Sequence, residues 1–296
     1  MESFFNEIAK FNYRENVDLS RYNTFLIKSK AKLFIEVESY RVVELLQILN
    51  KYKQEYFILG CGSNVIFKSK IIKKVVIHIC DKNTISVRGK YVYCGAGERL
   101  SALVNFYHKK GYAGFEWAVG IPASVGGAVC QNAGAFSKSI KECVKSVIFF
   151  DGKRVRKLKV EECEMEYRNS IFKKRGYIIL GVMALISKDK KEKIKERMRE
   201  FVLLRTAKQP QLPSAGSVFK NGESFYAGKL IEEMGLKGKR VGGAMVSEKH
   251  ANFIVNYKNA SGKDVVKLIK EIKKMAKIKF NATLCEEVVI QWFCYT

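Results

Sequence analysis

The chain has 296 residues, enough for two domains on ordinary size grounds. Apolar residues make up 47% and charged residues 28%, so a core can be buried and wholesale disorder is excluded. The 54 Lys and Arg against 29 Asp and Glu leave a net charge of +25, which points to anionic partners: nucleic acid, membrane surface or phosphorylated ligands.

The longest apolar runs, such as Val75–Ile79 and Val144–Phe150, fall far short of the roughly 20 residues a membrane span needs. The first twenty residues show no basic head followed by an apolar core, so a cytoplasmic location and no membrane partner are expected. Lysine is spread along the whole chain, with no basic arm and no zinc-finger or helix-turn-helix pattern, so nucleic acid is not the expected partner. The 8 cysteines show no C-x-x-C spacing and mostly lie in apolar strings, the pattern of buried, reduced thiols. His78, His108 and His250 are scattered, and no metal centre is expected.

In chain order, Val42–Tyr52 has apolar residues at helical spacing, and Tyr56–Leu59 reads as a short buried strand running into Gly60-Cys61-Gly62-Ser63-Asn64. Val75–Ile79, Thr84–Arg88 and Tyr91–Cys94 read as strands. Glu98–Lys110 reads as a helix closed by Gly111. Val144–Phe150 and Lys153–Leu158 form a hairpin on Asp151-Gly152, and Ile178–Ile186 is a further strand. Lys188–Arg205 repeats Ile194, Met198 and Phe201 at helical spacing with a basic outer face. Pro210 and Pro213 mark Gln209–Ser214 as a linker. Beyond it lie a short helix near Ala227–Met234, a longer one after the capping-box start Ser261-Gly262-Lys263-Asp264, and a closing strand Glu287–Phe293.

Two segments invite a ligand. Gly60-x-Gly62-Ser63-Asn64 at the end of a strand is a plausible anion cradle, although such turns are common. The run from Gly120 to Ala135 holds four Gly, four Ala and one Pro; a backbone this bare can lie against a large ligand and point N–H groups at it. Arg168 in Tyr167-Arg168-Asn169-Ser170, Ser217 after Ala215-Gly216, and Glu287 before an apolar strand each read singly as ordinary surface or strand residues.

Taken together, the segments resemble the UDP-N-acetylenolpyruvoylglucosamine reductase family, in its shorter subtype. The resemblance runs from Tyr22-Asn23-Thr24-Phe25 to Trp292. Its segments, in family order, include Leu59–Asn64, Gly114–Trp117, Gly120–Gly134, Tyr167–Ser170 and Ala215–Asn221. Ala227–Ile231, Gly242–Ala244, His250–Asn256 and Leu284–Val288 follow.

The resemblance implies an α+β chain with a two-lobed FAD-binding domain of the vanillyl-alcohol-oxidase (PCMH) type over 1–187, lobes about 1–80 and 81–187. A basic helix and linker (188–214) and a C-terminal α+β substrate-binding domain (215–296) follow. It implies non-covalent FAD held by Gly60, Gly62, Ser63, Asn64, Gly120, Ile121, Pro122, Ser124, Gly126, Gly127, Asn132, Ala133 and Gly134. It implies NADPH as co-substrate and UDP-N-acetylglucosamine enolpyruvate as the substrate reduced, in peptidoglycan precursor synthesis by a monomer. Arg168 and Glu287 would stabilise developing charge and Ser217 would donate a proton; Glu286 is the alternative to Glu287. Tyr167, Asn221, Tyr226, Lys229 and His250 would face the sugar nucleotide. Two other readings remain: a flavin oxidase or dehydrogenase of the same cofactor fold acting on another substrate, and a basic nucleic-acid-binding protein.

Overall fold

A computed structural model describes residues 2–291. The first sheet is built from period-two alternation. Its path is Asn12–Asp18, Lys30–Val37, Val75–Ile79, Tyr56–Leu59, with the outer pair antiparallel and the inner pairs parallel. In Lys30–Val37, Leu33, Ile35 and Val37 join the core on one side and Phe34 the core on the other. Both faces are covered, as parallel strands require. The first side meets helices α1 (Glu2–Ile8) and α2 (Val42–Lys51) through Phe4, Ile8, Leu45 and Leu49. The second side shares a core with the C-terminal residues Ile254, Leu268 and Ile272.

The second sheet is antiparallel throughout: Val155–Lys159, Val144–Phe150, Ile178–Leu185, Tyr91–Gly95, Ser86–Arg88. Helices α3 (Leu100–Lys110), α4 (Val125–Cys130) and α5 (Ile171–Arg175) share its core with Trp117 and Phe149. Helix α6 (Lys191–Lys208) is tied to this unit by Arg197, which pairs with Glu116 and Asp189, both at 2.7 Å. The third sheet (Ser214–Ser217, Phe253–Asn256, Ala244–Val246, Arg240–Val241) packs with α7 (Ala227–Glu233) and α8 (Gly262–Phe280). A last strand, Val289–Ile290, returns to lie parallel to Val65–Ile66, just beyond the Gly60–Asn64 loop. Among the described residues no helix is long and apolar enough to cross a membrane.

The elements expected from periodicity are present, with shifted ends. Helix α3 starts at Leu100 rather than 98, because Glu98 is occupied accepting from Thr84 N at 2.8 Å; Gly111 closes it at φ 67°. The expected hairpin has a four-residue loop: Asp151 Oδ1 accepts from Lys153 N and Arg154 N, both at 2.8 Å, and the second strand starts at Val155. The basic helix is displaced to 191–208, and the strand before α6 is followed by the short Ser187–Lys188 pair to Tyr112–Ala113. The closing strand contracts to Val289–Ile290, and residues 292 and 293 lie outside the described residues. Helix α1 and the strands Asn12–Asp18, Lys30–Val37, Ala244–Val246 and Phe253–Asn256 were not anticipated. Among the described residues seven cysteines are free thiols, but the burial expected of them holds fully only for Cys94, Cys143 and Cys163; Cys285 is exposed.

Candidate active site

Three chain reversals converge on one cavity of about 640 Å³. It is lined by the Gly60–Asn64 loop, by Gly120–Ser124 with Gly127 and Ala133–Ala135, and by Gln209–Ser217 with Phe253. Arg168, Ser217 and Glu287 all line it. The parallel return of Val289–Ile290 beside Val65–Ile66 brings Glu287 here, and the site clamps its backbone. Its N–H donates to Val218 O (2.8 Å), and its carbonyl accepts from Asn64 Nδ2 (3.1 Å) and Gln131 Nε2 (3.2 Å).

Arg168 sits on a tight turn in which Asn169 N donates to Glu166 O at 3.2 Å. Its φ of 55° lies in the left-handed region, at the turn position that normally takes Gly or Asn. Arg168 Nε donates to Glu287 Oε1 at 2.5 Å and Nη2 to Gly134 O at 2.9 Å. The two side chains are 20% and 12% exposed, so the pair is shielded from water. Burial pushes the Glu287 carboxyl above the ordinary range, and Arg168, Lys173 and Lys220 pull the other way. Glu286 points elsewhere: both its oxygens accept from Lys273 Nζ at 2.9 Å. Of the two adjacent glutamates, only Glu287 lines the cavity. Ser217 ends its strand opposite Phe253.

Of the residues expected at a cofactor, Gly60, Gly62, Ser63, Asn64, Gly120, Ile121, Pro122, Ser124, Gly127, Ala133 and Gly134 line this cavity. Gly126 lines a second cavity of about 610 Å³, which shares Gly60, Ser124 and Gly127 with the first and runs between the two N-terminal sheets. Asn132 does not fit the expectation. Its side chain is buried, with Nδ2 donating to Glu166 O at 2.8 Å and Oδ1 accepting from Lys141 N at 3.3 Å, so it faces protein. Tyr167, Asn221, Tyr226, Lys229 and His250 line neither cavity. Asn221 Oδ1 instead accepts from Ala227 N at 3.1 Å, and His250 Nδ1 accepts from Asn252 N at 3.2 Å. Tyr226, just before α7, and Lys229, on it, are exposed.

Sequence reasoning missed Thr24, Gln131, Arg205 and Phe253, and it treated Gln209–Ser214 as a linker although it forms a wall. The missed signal was a basic residue, Arg205, just before the prolines. Arg205 Nε donates to Val119 O and Nη1 to Gln209 Oε1, both at 3.2 Å, while Nη2 is buried without a partner among the described residues. The first sheet also gathers Glu36, His78 and Cys80, which looked scattered in sequence, but Arg14 already pairs with Glu36 at 2.9 Å.

The donor set fits a flavin nucleotide. The lining is rich in Gly and Ala, a Cβ on Gly60 would collide with Ser124 Oγ, and the orphaned Arg205 Nη2 is a buried donor for an anionic or carbonyl group. Residues 31–154 match the family model for an FAD binding domain. This is an FAD-dependent oxidoreductase built from a PCMH-type cofactor domain and a C-terminal α+β domain.

Residues 208–291 match the C-terminal domain of UDP-N-acetylenolpyruvoylglucosamine reductase. The enzyme of that name from Clostridium novyi is 40% identical over 286 residues, spanning 96% of this chain and 93% of its own. That from Alkaliphilus metalliredigens is 40% identical, spanning 97% of each. The crystal structure of the Thermus caldophilus reductase superposes with a TM-score of 0.81 at 32% identity, over 95% of this chain and 99% of that one. The chain belongs to the UDP-N-acetylenolpyruvoylglucosamine reductase family.

Proposed function

We propose that Arg168, Ser217 and Glu287 carry the NADPH-dependent reduction of UDP-N-acetylglucosamine enolpyruvate to UDP-N-acetylmuramate, a step of peptidoglycan precursor synthesis. The observation that carries this reading is their convergence on one cavity, with Arg168 and Glu287 paired across 119 residues of sequence. FAD bound here would supply the redox chemistry, passing hydride from NADPH to the vinyl methylene of the substrate. The walls Gly60–Asn64, Gly120–Gly127 and Ala133–Gly134 would hold it, with Arg205 as a fixed cationic donor.

Hydride addition drives electron density toward a carboxylate that is already anionic, so charge must be stabilised where it develops. Arg168 does this with a guanidinium held in place by Gly134 O and Glu287. When the substrate carboxylate takes over the Arg168 fork, Glu287 loses its best partner in a buried site. Burial then drives it to hold a proton, and the neutral acid adds a second donor to the developing charge. Ser217, which lines the same cavity, protonates the carbon α to the carboxylate and completes the addition.

The division read from sequence, 1–187, 188–214 and 215–296, is kept in this account, with 209–214 also serving as a cavity wall. Exposed Tyr226 and Lys229 are assigned to the outer, nucleotide end of the substrate. We further propose a cytoplasmic monomer whose net charge of +25 serves phosphorylated ligands rather than nucleic acid. The test is anaerobic. NADPH should bleach the flavin, and the enolpyruvyl sugar nucleotide should restore its colour. Re-oxidation by oxygen with a small alcohol as reductant, and none by the sugar nucleotide, would support the oxidase reading instead.

A further inference from the structure

We propose that Asn132 is a positioning residue for Arg168: its side-chain amide grips the turn that carries the arginine and so aims the guanidinium at Glu287. The inference rests on the reading of Arg168 given above.

Asn132 follows helix α4, and its own N–H is spent on Val129 O at 3.0 Å. Its Nδ2 donates to Glu166 O at 2.8 Å. That carbonyl also accepts Asn169 N at 3.2 Å and so closes the turn Glu166–Asn169. Arg168, third in this turn, has φ 55°. A non-glycine residue in a sparsely populated backbone region persists only where its surroundings over-determine it. Three contacts do so: Asn132 on Glu166 O, Ser170 Oγ on Cys130 O at 2.7 Å, and Lys173 Nζ on Arg168 O at 3.4 Å.

Two of the three come from the same short segment. Cys130 and Asn132 fix the turn, and Gly134 O, two residues further on, accepts from Arg168 Nη2 at 2.9 Å. Both ends of the arginine are thereby referred to the segment whose Ala133–Ala135 backbone walls the cavity. A side chain that itself never reaches the cavity thus fixes where the cation stands relative to it. This also explains why a buried asparagine occupies φ 41°, where few side chains other than Asn and Asp are tolerated.

Two variants test this. Asn132→Gly removes only the side chain, since glycine accepts that φ. Asn132→Asp keeps Oδ1 for Lys141 N but replaces the donor facing Glu166 O with an acceptor. FAD content, flavin reduction by NADPH and flavin re-oxidation by the enolpyruvyl sugar nucleotide are measured against pH. FAD content and reduction should stay near wild type, while re-oxidation falls about tenfold in the glycine variant, the scale of one lost buried hydrogen bond, and further in the aspartate variant. The basic limb of re-oxidation should move to higher pH. The charged groups facing Glu287 are Arg168, Lys173 and Lys220, and a displaced Arg168 opposes its protonation less.

An equal fall in cofactor content and both half-reactions would reduce Asn132 to a folding role and overturn the proposal. So would wild-type re-oxidation with an unmoved limb in Asn132→Asp. The underlying reading fails separately: an Arg168→Ala enzyme that re-oxidises normally would remove Arg168 itself from the chemistry.

Discussion

Adjacent glutamates near the C-terminal end of the chain should respond very differently to the same substitution. Glu287→Gln keeps the shape of the side chain but removes its charge and replaces the strong O–H donor of the neutral acid with a weaker amide N–H. The backbone clamp of Asn64, Gln131 and Val218 on residue 287 does not use the side chain and should survive. The side-chain cost is confined to the Arg168 pair, 2.5 Å long and shielded from water. Weakening a positioned donor to developing charge slows a step by up to about 10²–10³-fold, or roughly 3–4 kcal/mol of barrier. Glu286→Gln breaks only a half-exposed pair with Lys273, worth about 0–1 kcal/mol, and touches nothing in the cavity. Stopped-flow re-oxidation of the reduced flavin by the enolpyruvyl sugar nucleotide separates the two. The reasoning is refuted if Glu286→Gln slows re-oxidation more than Glu287→Gln does.

Three further outcomes are expected. Gly60→Ala should lower FAD content, because the new methyl displaces Ser124 Oγ from Gly127 N and uncaps helix α4 at about 1 kcal/mol; absorbance per mole of purified protein reads this directly. Ser261→Ala removes the capping box of α8, in which Ser261 Oγ accepts from Asp264 N at 3.2 Å; it should cost about 1 kcal/mol and lower Tm with catalysis unchanged. For Glu287, burial raises the proton affinity, so the protonated form extends above the ordinary carboxylate range. Re-oxidation should therefore hold at low pH and fall as pH rises through that group's value, and this limb should be absent in Glu287→Gln. A limb that persists unchanged would assign it to another group.

Much of the fold was legible because its elements are strongly periodic. Leu45, Leu46 and Leu49 on α2, and Val265, Leu268, Ile269 and Ile272 on α8, recur at helical spacing and are all buried. Lys30–Val37 alternates just as clearly, yet its lysines and Glu36 obscured a strand that is buried on both faces. Element ends shifted where side chains intervened, as Glu98 does by bonding Thr84 before α3 can begin. The residues proposed to be catalytic were named through resemblance, since nothing local marks Arg168 or Glu287. Their pairing depends on the return of Val289–Ile290 to Val65–Ile66, a contact across 224 residues that no local pattern encodes. The same holds for Asn132: its sequence neighbours suggested a ligand, but the fold turns its amide to Glu166 O. The wall formed by Gln209–Ser214 was masked because prolines mark a break in regular structure, whatever that break goes on to line.

The most direct test of the central claim is Ser217→Ala, followed through both half-reactions under anaerobic conditions. If the cavity assembles Arg168, Ser217 and Glu287 for the sugar nucleotide, NADPH will reduce the flavin at a near wild-type rate and re-oxidation by the enolpyruvyl substrate will stall. Equal slowing of the two steps, or re-oxidation at the wild-type rate, would contradict it.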